Sequence, residues 1–375
     1  MKRLLYIGHE AGRSGAPIVL LNLIKWIRQN EPATDIDLLL LTGGPLESEY
    51  RKYCDVHILD NQKPSFVDRI GNRLGLRNQP SHSHVFDPKY DVVIGNTIVT
   101  LPFLERFSKR DQKTVCWMHE LDGVVRKIYD STEFTRLANI PDHLIIPARA
   151  FVPMLDRFGV TTKTTLAHDF SNFDDVASIL PVDKAANENI VVAGAGTIEF
   201  RKGTDLFIEI AKRVSTMNSY ISFFWIGGES GDPDEASKFR QMIDDVSQHP
   251  RIKFLPPSPE YLNVIATADI FALTSREDPC PLVALDAAAL GKPIVCFKDA
   301  GAIPDIIGDD AGKSVENGSI EDFADALIDY FNDRNALERA GIAAKYKVQH
   351  EFTIEHSCRT IYDTLVKVAG REQTP

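Results

Sequence analysis

Ile270-Phe271-Ala272-Leu273-Thr274-Ser275-Arg276-Glu277-Asp278-Pro279-Cys280-Pro281-Leu282-Val283-Ala284-Leu285-Asp286 holds the transition that decides the fold. Ile270–Leu273 is short and wholly apolar, the pattern of a strand buried on both faces. A polar loop follows, with Asp278 at the strand end. Pro279 and Pro281 suit a turn and the start of a helix. The run Leu282 to Leu290 is apolar, and Gly291-Lys292-Pro293 stops it. Ile294–Phe297 then reads as the next strand. Strand, loop, helix and strand in that order is the unit of a parallel α/β sheet. Asp286 lies about two turns into an otherwise apolar helix, where an unpartnered carboxylate is costly. Ligand hydroxyls, or a pairing within the core, would satisfy it.

The same alternation extends both ways. Candidate strands lie at Leu4–Gly8, Ile36–Thr42, Val56–Leu59, Asp91–Gly95, Thr114–Met118 and Leu144–Ile146. They restart at Ile190–Ala193, Ser222–Ile226 and Ile252–Leu255. Between them, the periodicity predicts helices at Ile18–Arg28, Val99–Phe107, Thr204–Met217, Ala236–Val246 and Glu260–Ala266. Three more follow at Ile320–Asn332, Asn335–Val348 and Thr353–Ala369, with no further clear strand among them. We read two doubly wound, Rossmann-like domains: residues 1–170, a polar linker at 171–189, residues 190–350, and a C-terminal helix at 351–375 packing back towards the first domain. In such folds ligands bind at the carboxyl ends of the strands, here expected in a central cleft between the domains.

Bulk properties narrow the function. A length of 375 residues suits two domains at roughly 100–200 residues each. Acidic and basic residues balance over 1–186, so the whole net charge of -11 falls on 187–375. An acidic total argues against nucleic acid as partner, which needs a basic footprint. The cysteines Cys54, Cys116, Cys280, Cys296 and Cys358 are scattered and odd in number. That pattern suits a reducing cytoplasm and neither a disulfide framework nor a zinc site. No metal is expected. The opening Met1 to Gly8 is too short a stretch for a signal peptide, and no run has the roughly 18 apolar residues of a membrane span.

Two further loops join a strand to a helix. Gly8-His9-Glu10-Ala11-Gly12-Arg13-Ser14-Gly15-Ala16-Pro17 is glycine-rich and opens a helix, so it suits an anion. A plain βα turn would have similar residues. Gly194-Ala195-Gly196-Thr197-Ile198-Glu199-Phe200-Arg201-Lys202-Gly203 sets two cations at the positive end of a helix dipole, which is unfavourable. A diphosphate between them and the backbone N–H groups relieves the conflict; two solvated charges turned outward are the plainer alternative.

The run from Thr274 to Val295 resembles the signature of the family 4 retaining glycosyltransferases, the group 1 glycosyltransferases of GT-B fold. The match is an acid, seven residues, a second acid, a small-residue helix and Gly-x-Pro. Arg201-Lys202-Gly203-Thr204-Asp205 resembles the family's Lys-Gly element, Ser14-Gly15-Ala16 its N-terminal loop, and Trp117-Met118-His119-Glu120 its histidine-bearing strand end. The matches fall in order from residue 8 to 297. The resemblance implies that Asp278 contacts donor-sugar hydroxyls, with Glu277 as the neighbouring acid, and that Asp286 holds the ribose. Arg201 and Lys202 neutralise the diphosphate, helped by backbone around Pro281, Leu282 and Val283. Gly15 and Ala16 close over the phosphates, and His119 sits near the transferred sugar. The family's two glutamates are aspartates here, and its arginine five residues before the lysine is Thr197.

The implied activity is metal-independent, retaining transfer of a sugar from a nucleotide-diphosphate sugar, with UDP or GDP as carrier, to a saccharide or lipid-linked saccharide in glycan or polysaccharide assembly. No separate cofactor is expected. The alternatives are a nucleotide-sugar epimerase of the same fold and a catalytically silent nucleotide-sugar-binding protein. In 64–78, Phe66, Ile70 and Leu74 run beside Arg69, Arg73 and Arg77. As a helix this would be a basic amphipathic surface for anionic lipid, giving peripheral contact at the inner face of the cell membrane. Gly71 and Gly75 weaken that helix, and a half-buried helix with a solvated edge is the commoner reading.

Overall fold

Apolar runs uninterrupted by polar alternation form all the central strands. The computed structural model describes residues 1–60, 89–171, 173, 176, 178, 179 and 189–370. The stretches 64–78 and most of 171–189 lie outside the described residues. The chain divides into an N-terminal unit, Met1–Asp169 with Glu355–Pro375, and a C-terminal unit, Phe170–Ile354.

The N-terminal sheet contains β1 (Arg3–Gly8), β2 (Asp35–Thr42), β3 (Asp55–Asp60), β4 (Val92–Asn96), β5 (Thr114–Trp117), β6 (His143–Ile146) and β7 (Thr164–Leu166), in the order β3-β2-β1-β4-β5-β6-β7. The C-terminal sheet contains β8 (Ile190–Ala195), β9 (Ile221–Ile226), β10 (Ile252–Leu255), β11 (Ile270–Leu273), β12 (Ile294–Phe297) and β13 (Gly312–Val315), in the order β10-β9-β8-β11-β12-β13. Every pairing is parallel. In each sheet the winding reverses once, between β1 and β4 and between β8 and β11. Loops leaving those neighbouring strands diverge and leave a crevice at their carboxyl ends.

The expected strands all form, within a residue or two at their ends. The short strands β7 and β13, each at one edge of its sheet, escape the sequence pattern for want of apolar residues. Thr164-Thr165-Leu166 and Gly312-Lys313-Ser314-Val315 are partly exposed and carry no apolar run. Five short helices among the described residues, Glu47–Tyr50, Asp122–Ile128, Ser131–Ala138, Phe151–Arg157 and Ile303–Ile307, have too few turns to show a period. The first helix begins at Gly15, three residues before the apolar periodicity. The expected helix from Val99 splits into a 3-10 turn, Ile98–Thr100, and Leu101–Ser108.

Packing follows the helical spacing. In Thr204–Met217, Phe207, Ile210, Ala211 and Val214 are buried on one side. Phe207 meets Trp225 edge-on with ring centroids 5.2 Å apart; truncating such a ring costs about 3–5 kcal/mol. The last helix, Ile354–Val368, buries Cys358, Ile361, Tyr362 and Leu365 in the N-terminal unit. There Tyr362 Oη lies 3.2 Å from Thr34 Oγ1, Trp26 Nε1 donates to Glu355, and Arg359 covers the Trp26 ring at 4.6 Å. All five cysteines are buried and none is in a disulfide. Burial pushes the Cys54 thiol up to about 12 and those of Cys116, Cys296 and Cys358 up as well. Among the described residues no helix is long and apolar enough to cross a membrane.

One glycine fixes how the two central loops of the C-terminal unit meet. Gly203 has φ +66, and a Cβ placed there would lie 1.9 Å from the Thr274 carbonyl oxygen. Both the left-handed backbone and the contact exclude a side chain. Gly203→Ala is expected to lower the unfolding free energy by at least about 2 kcal/mol, from the αL penalty plus overpacking. Urea denaturation of the two proteins side by side measures it, and an unchanged midpoint would refute the assignment.

Candidate functional site

The crevice of the C-terminal sheet is built from the loops after β8 and β11. Gly203 lets the first loop rest on the second, and backbone bonds stitch them together. Arg276 N–H donates to the Arg201 carbonyl at 2.8 Å, Arg201 Nη1 donates to the Glu277 carbonyl at 3.1 Å, and Thr274 Oγ1 donates to the Lys202 carbonyl at 3.3 Å. Arg276 adds a two-pronged grip on Asp205, at 2.8 and 2.7 Å, and donates to the Phe200 carbonyl at 2.6 Å. Its guanidinium lies 3.7 Å from the centre of the Phe200 ring, itself 52% exposed.

This stitching brings Arg201, Lys202, Glu277 and Asp278 together. Asp278 is held through its backbone, whose N–H donates to the Ala300 carbonyl at 2.6 Å. Its carboxylate, 8% exposed, accepts from Lys202 Nζ at 2.5 Å and from Ser275 Oγ at 3.2 Å. Arg201 lies 4.0 Å from the other oxygen and 2.7 Å from Glu199. The two cations at the helix start are thus paired with carboxylates rather than turned outward. Pro281 caps Leu282–Ala289, and Leu282 and Val283 form its first turn, whose N–H groups have no intrahelical acceptor.

Asp286 is apart from this pair. It is 3% exposed, and its two oxygens accept from Ser171 Oγ and Tyr261 Oη, each at 2.5 Å. Neither hydroxyl was legible as a partner. Ser171 lies in the polar stretch between the two runs of strands and Tyr261 starts a short helix, so no periodicity points at either.

In the N-terminal unit, Gly15 opens the helix Gly15–Asn30 and has open space where a Cβ would be. Ala16 and His119 are joined through Asn96: Asn96 Nδ2 donates to the Ala16 carbonyl at 3.1 Å, and Asn96 Oδ1 lies 2.9 Å from His119 Nε2. His119 Nδ1 lies 3.2 Å from Asp169 Oδ2. Burial disfavours the charged ring. The Asp169 carboxylate, by charge and by hydrogen bond, and Glu120 beside it outweigh that and raise the ring's pKa above its ordinary value. Asn96 and Asp169 were missed in the sequence; the clue to Asn96 is its place at the end of a central strand.

The Lys202–Asp278 pair is buried enough that removing one member strands the other. Lys202→Met is expected to destabilise by about 3–5 kcal/mol, as for other broken buried pairs, and a Lys202→Met/Asp278→Asn double variant to recover most of the loss. Chemical denaturation of the four proteins in the cycle tests this; additive losses would mean that the pair is not coupled.

The family of glycosyl transferases group 1 matches residues 178–347. A D-inositol 3-phosphate glycosyltransferase of Mycobacteroides abscessus is 32% identical over 165 residues, covering 41% of this chain and 36% of the relative. An alpha-galactosylglucosyldiacylglycerol synthase of Streptococcus pneumoniae is 26% identical over 269 residues, covering 67% of this chain and 66% of the relative. The matches thus span between about a third and two thirds of these relatives' length. Among solved structures, Anabaena Alr3699/HepE in complex with UDP and glucose superposes with a TM-score of 0.76 at 18% identity, over 97% of this chain and 99% of that one. This likeness shows the fold, a GT-B pair of Rossmann-like domains, as the sequence led us to expect. Residues 178–347, nearly the whole of the C-terminal unit, match the group 1 glycosyl transferases.

Proposed function

We propose that this chain transfers a sugar from a nucleotide-diphosphate sugar to a saccharide or lipid-linked saccharide acceptor, with retention of anomeric configuration. The observation that carries the reading is the gathering of Arg201, Lys202, Asp278 and a helix start at the winding reversal of a sheet whose sequence matches the group 1 glycosyl transferases. The uridine nucleotide in Alr3699/HepE makes UDP the first carrier to try. The diacylglycerol-linked name of the streptococcal relative supports a lipid-linked acceptor.

Cleaving the sugar–phosphate bond leaves its electron pair on the diphosphate. Preorganised cations and N–H dipoles at that charge are commonly the largest catalytic contribution. Arg201, Lys202 and the first turn of Leu282–Ala289 supply them. Their carboxylate partners keep both cations in place before the diphosphate arrives. Asp278 then takes donor-sugar hydroxyls, beside Glu277, and Asp286 takes the ribose hydroxyls in place of Ser171 or Tyr261. The acceptor hydroxyl attacks on the face the phosphate leaves, and its proton passes to the departing phosphate oxygen. In the N-terminal unit, Gly15, Ala16 and His119 keep the roles that the family resemblance implies.

A thermal-shift panel with UDP, GDP, ADP, CMP, NAD and S-adenosylmethionine tests the donor assignment. A ligand at a hundred times its Kd stabilises the folded state by about 2.7 kcal/mol. One nucleoside diphosphate is expected to raise Tm, and Arg201→Ala and Lys202→Ala to abolish the shift. A response to NAD or S-adenosylmethionine alone would overturn the reading. A nucleotide shift without sugar transfer to any acceptor would favour a silent binding protein.

A further inference from the structure

The hydrogen bonds around His119 determine its proton count. Asn96 ends β4, and its amide is oriented by donation of Nδ2–H to the Ala16 carbonyl at 3.1 Å. That leaves Oδ1 facing His119 Nε2 at 2.9 Å. An amide oxygen only accepts, so Nε2 bears a proton. Nδ1 faces Asp169 Oδ2 at 3.2 Å, and a second proton lies between them. Imidazole is the stronger base, with a reference pKa of roughly 6.5 against 3.9 for an aspartate, so this proton rests on the ring.

The charged groups facing the ring are both acidic: Asp169, in the segment after β7, and Glu120, from its own loop. The Trp117 ring also lies against it, centred 4.8 Å away. At 7% side-chain exposure the ring is shielded from water. Thr97, which follows Asn96, has φ +101, and its buried Oγ1 has no hydrogen-bond partner among the described residues. A β-branched residue rarely holds such a backbone. The strain falls beside the residue whose amide must meet Ala16 and His119 at once.

We propose that Asn96 and Asp169 are positioning residues that hold His119 as a permanent imidazolium, a fixed positive charge rather than a proton carrier. What that charge does rests on the transferase reading: a cation that holds its proton through turnover offers a fixed field without reorganising. With both N–H groups spent inside the unit, the ring has no nitrogen left to act as a base.

Side-chain nitrogen NMR of the histidine-labelled full chain from pH 6 to 8.5 tests this, with His119→Gln identifying the signal. Two protonated ring nitrogens are expected at pH 7 in the unaltered protein, whose ring holds its second proton above the ordinary histidine range. Asp169→Asn removes the counter-charge, so the ring should lose its proton at a pH at least about one unit lower, a tenfold fall in proton affinity. Asn96→Asp, which keeps an acceptor at Nε2, should retain the double protonation. A neutral ring at pH 7 in the unaltered protein overturns the proposal even if Asp169→Asn does not fold. A folded Asp169→Asn whose ring keeps both protons up to pH 8.5 overturns it too. The titration needs no substrate, so absence of sugar transfer would sink the transferase reading and leave the ring's protonation standing on its own result.

Discussion

The contact of Gly203 with the Thr274 carbonyl sets the rest of the C-terminal site. At a separation that leaves 1.9 Å for a missing Cβ, the loop after β8 lies directly on the end of β11. Lys202 thereby reaches Asp278, and Arg201 reaches the backbone of Glu277. Arg276 and Asp205 clamp the same junction from its outer side. The chemistry of the crevice is therefore set by backbone packing first and by charge second.

Charge was the part of the site hardest to foresee. The sequence shows two cations at a helix start and leaves their counter-ions open between a ligand and solvent. In the structure Asp278 and Glu199 occupy that role. Carboxylates and phosphates are interchangeable partners for such cations, so the pairing is compatible with a ligand that displaces it. Asp286 follows the same logic. The cost of a buried carboxylate made a partner certain, while its identity, Ser171 and Tyr261, depended on contacts between segments far apart in sequence.

The legibility of the fold tracks burial. β1, β8, β11 and β12 are apolar along most of their length and stand out, and Thr204–Met217 and Ile320–Asn332 show full helical periods ending where the structure ends them. Edge strands such as Thr164–Leu166 and helices of a few residues carry too little apolar material to register. Motifs led to Arg201, Lys202 and Asp278 because they lie on loops whose sequence must satisfy the backbone as well as the ligand. Asn96 and Asp169 belong to no motif here; each is a single polar residue at a strand end or beyond one, and tertiary packing alone gives them a common neighbour.

The burial of all five thiols has a consequence for how this molecule reports on itself. Cys54, Cys116 and Cys358 belong to one unit and Cys280 and Cys296 to the other. A thiol must reach solvent and ionise before it reacts, and burial keeps all five from solvent while the native packing holds. Each sulfur is thus a silent timer whose alkylation marks the moment its own unit opens. The order in which the five are modified separates the breathing of one unit from that of the other, with no foreign label added.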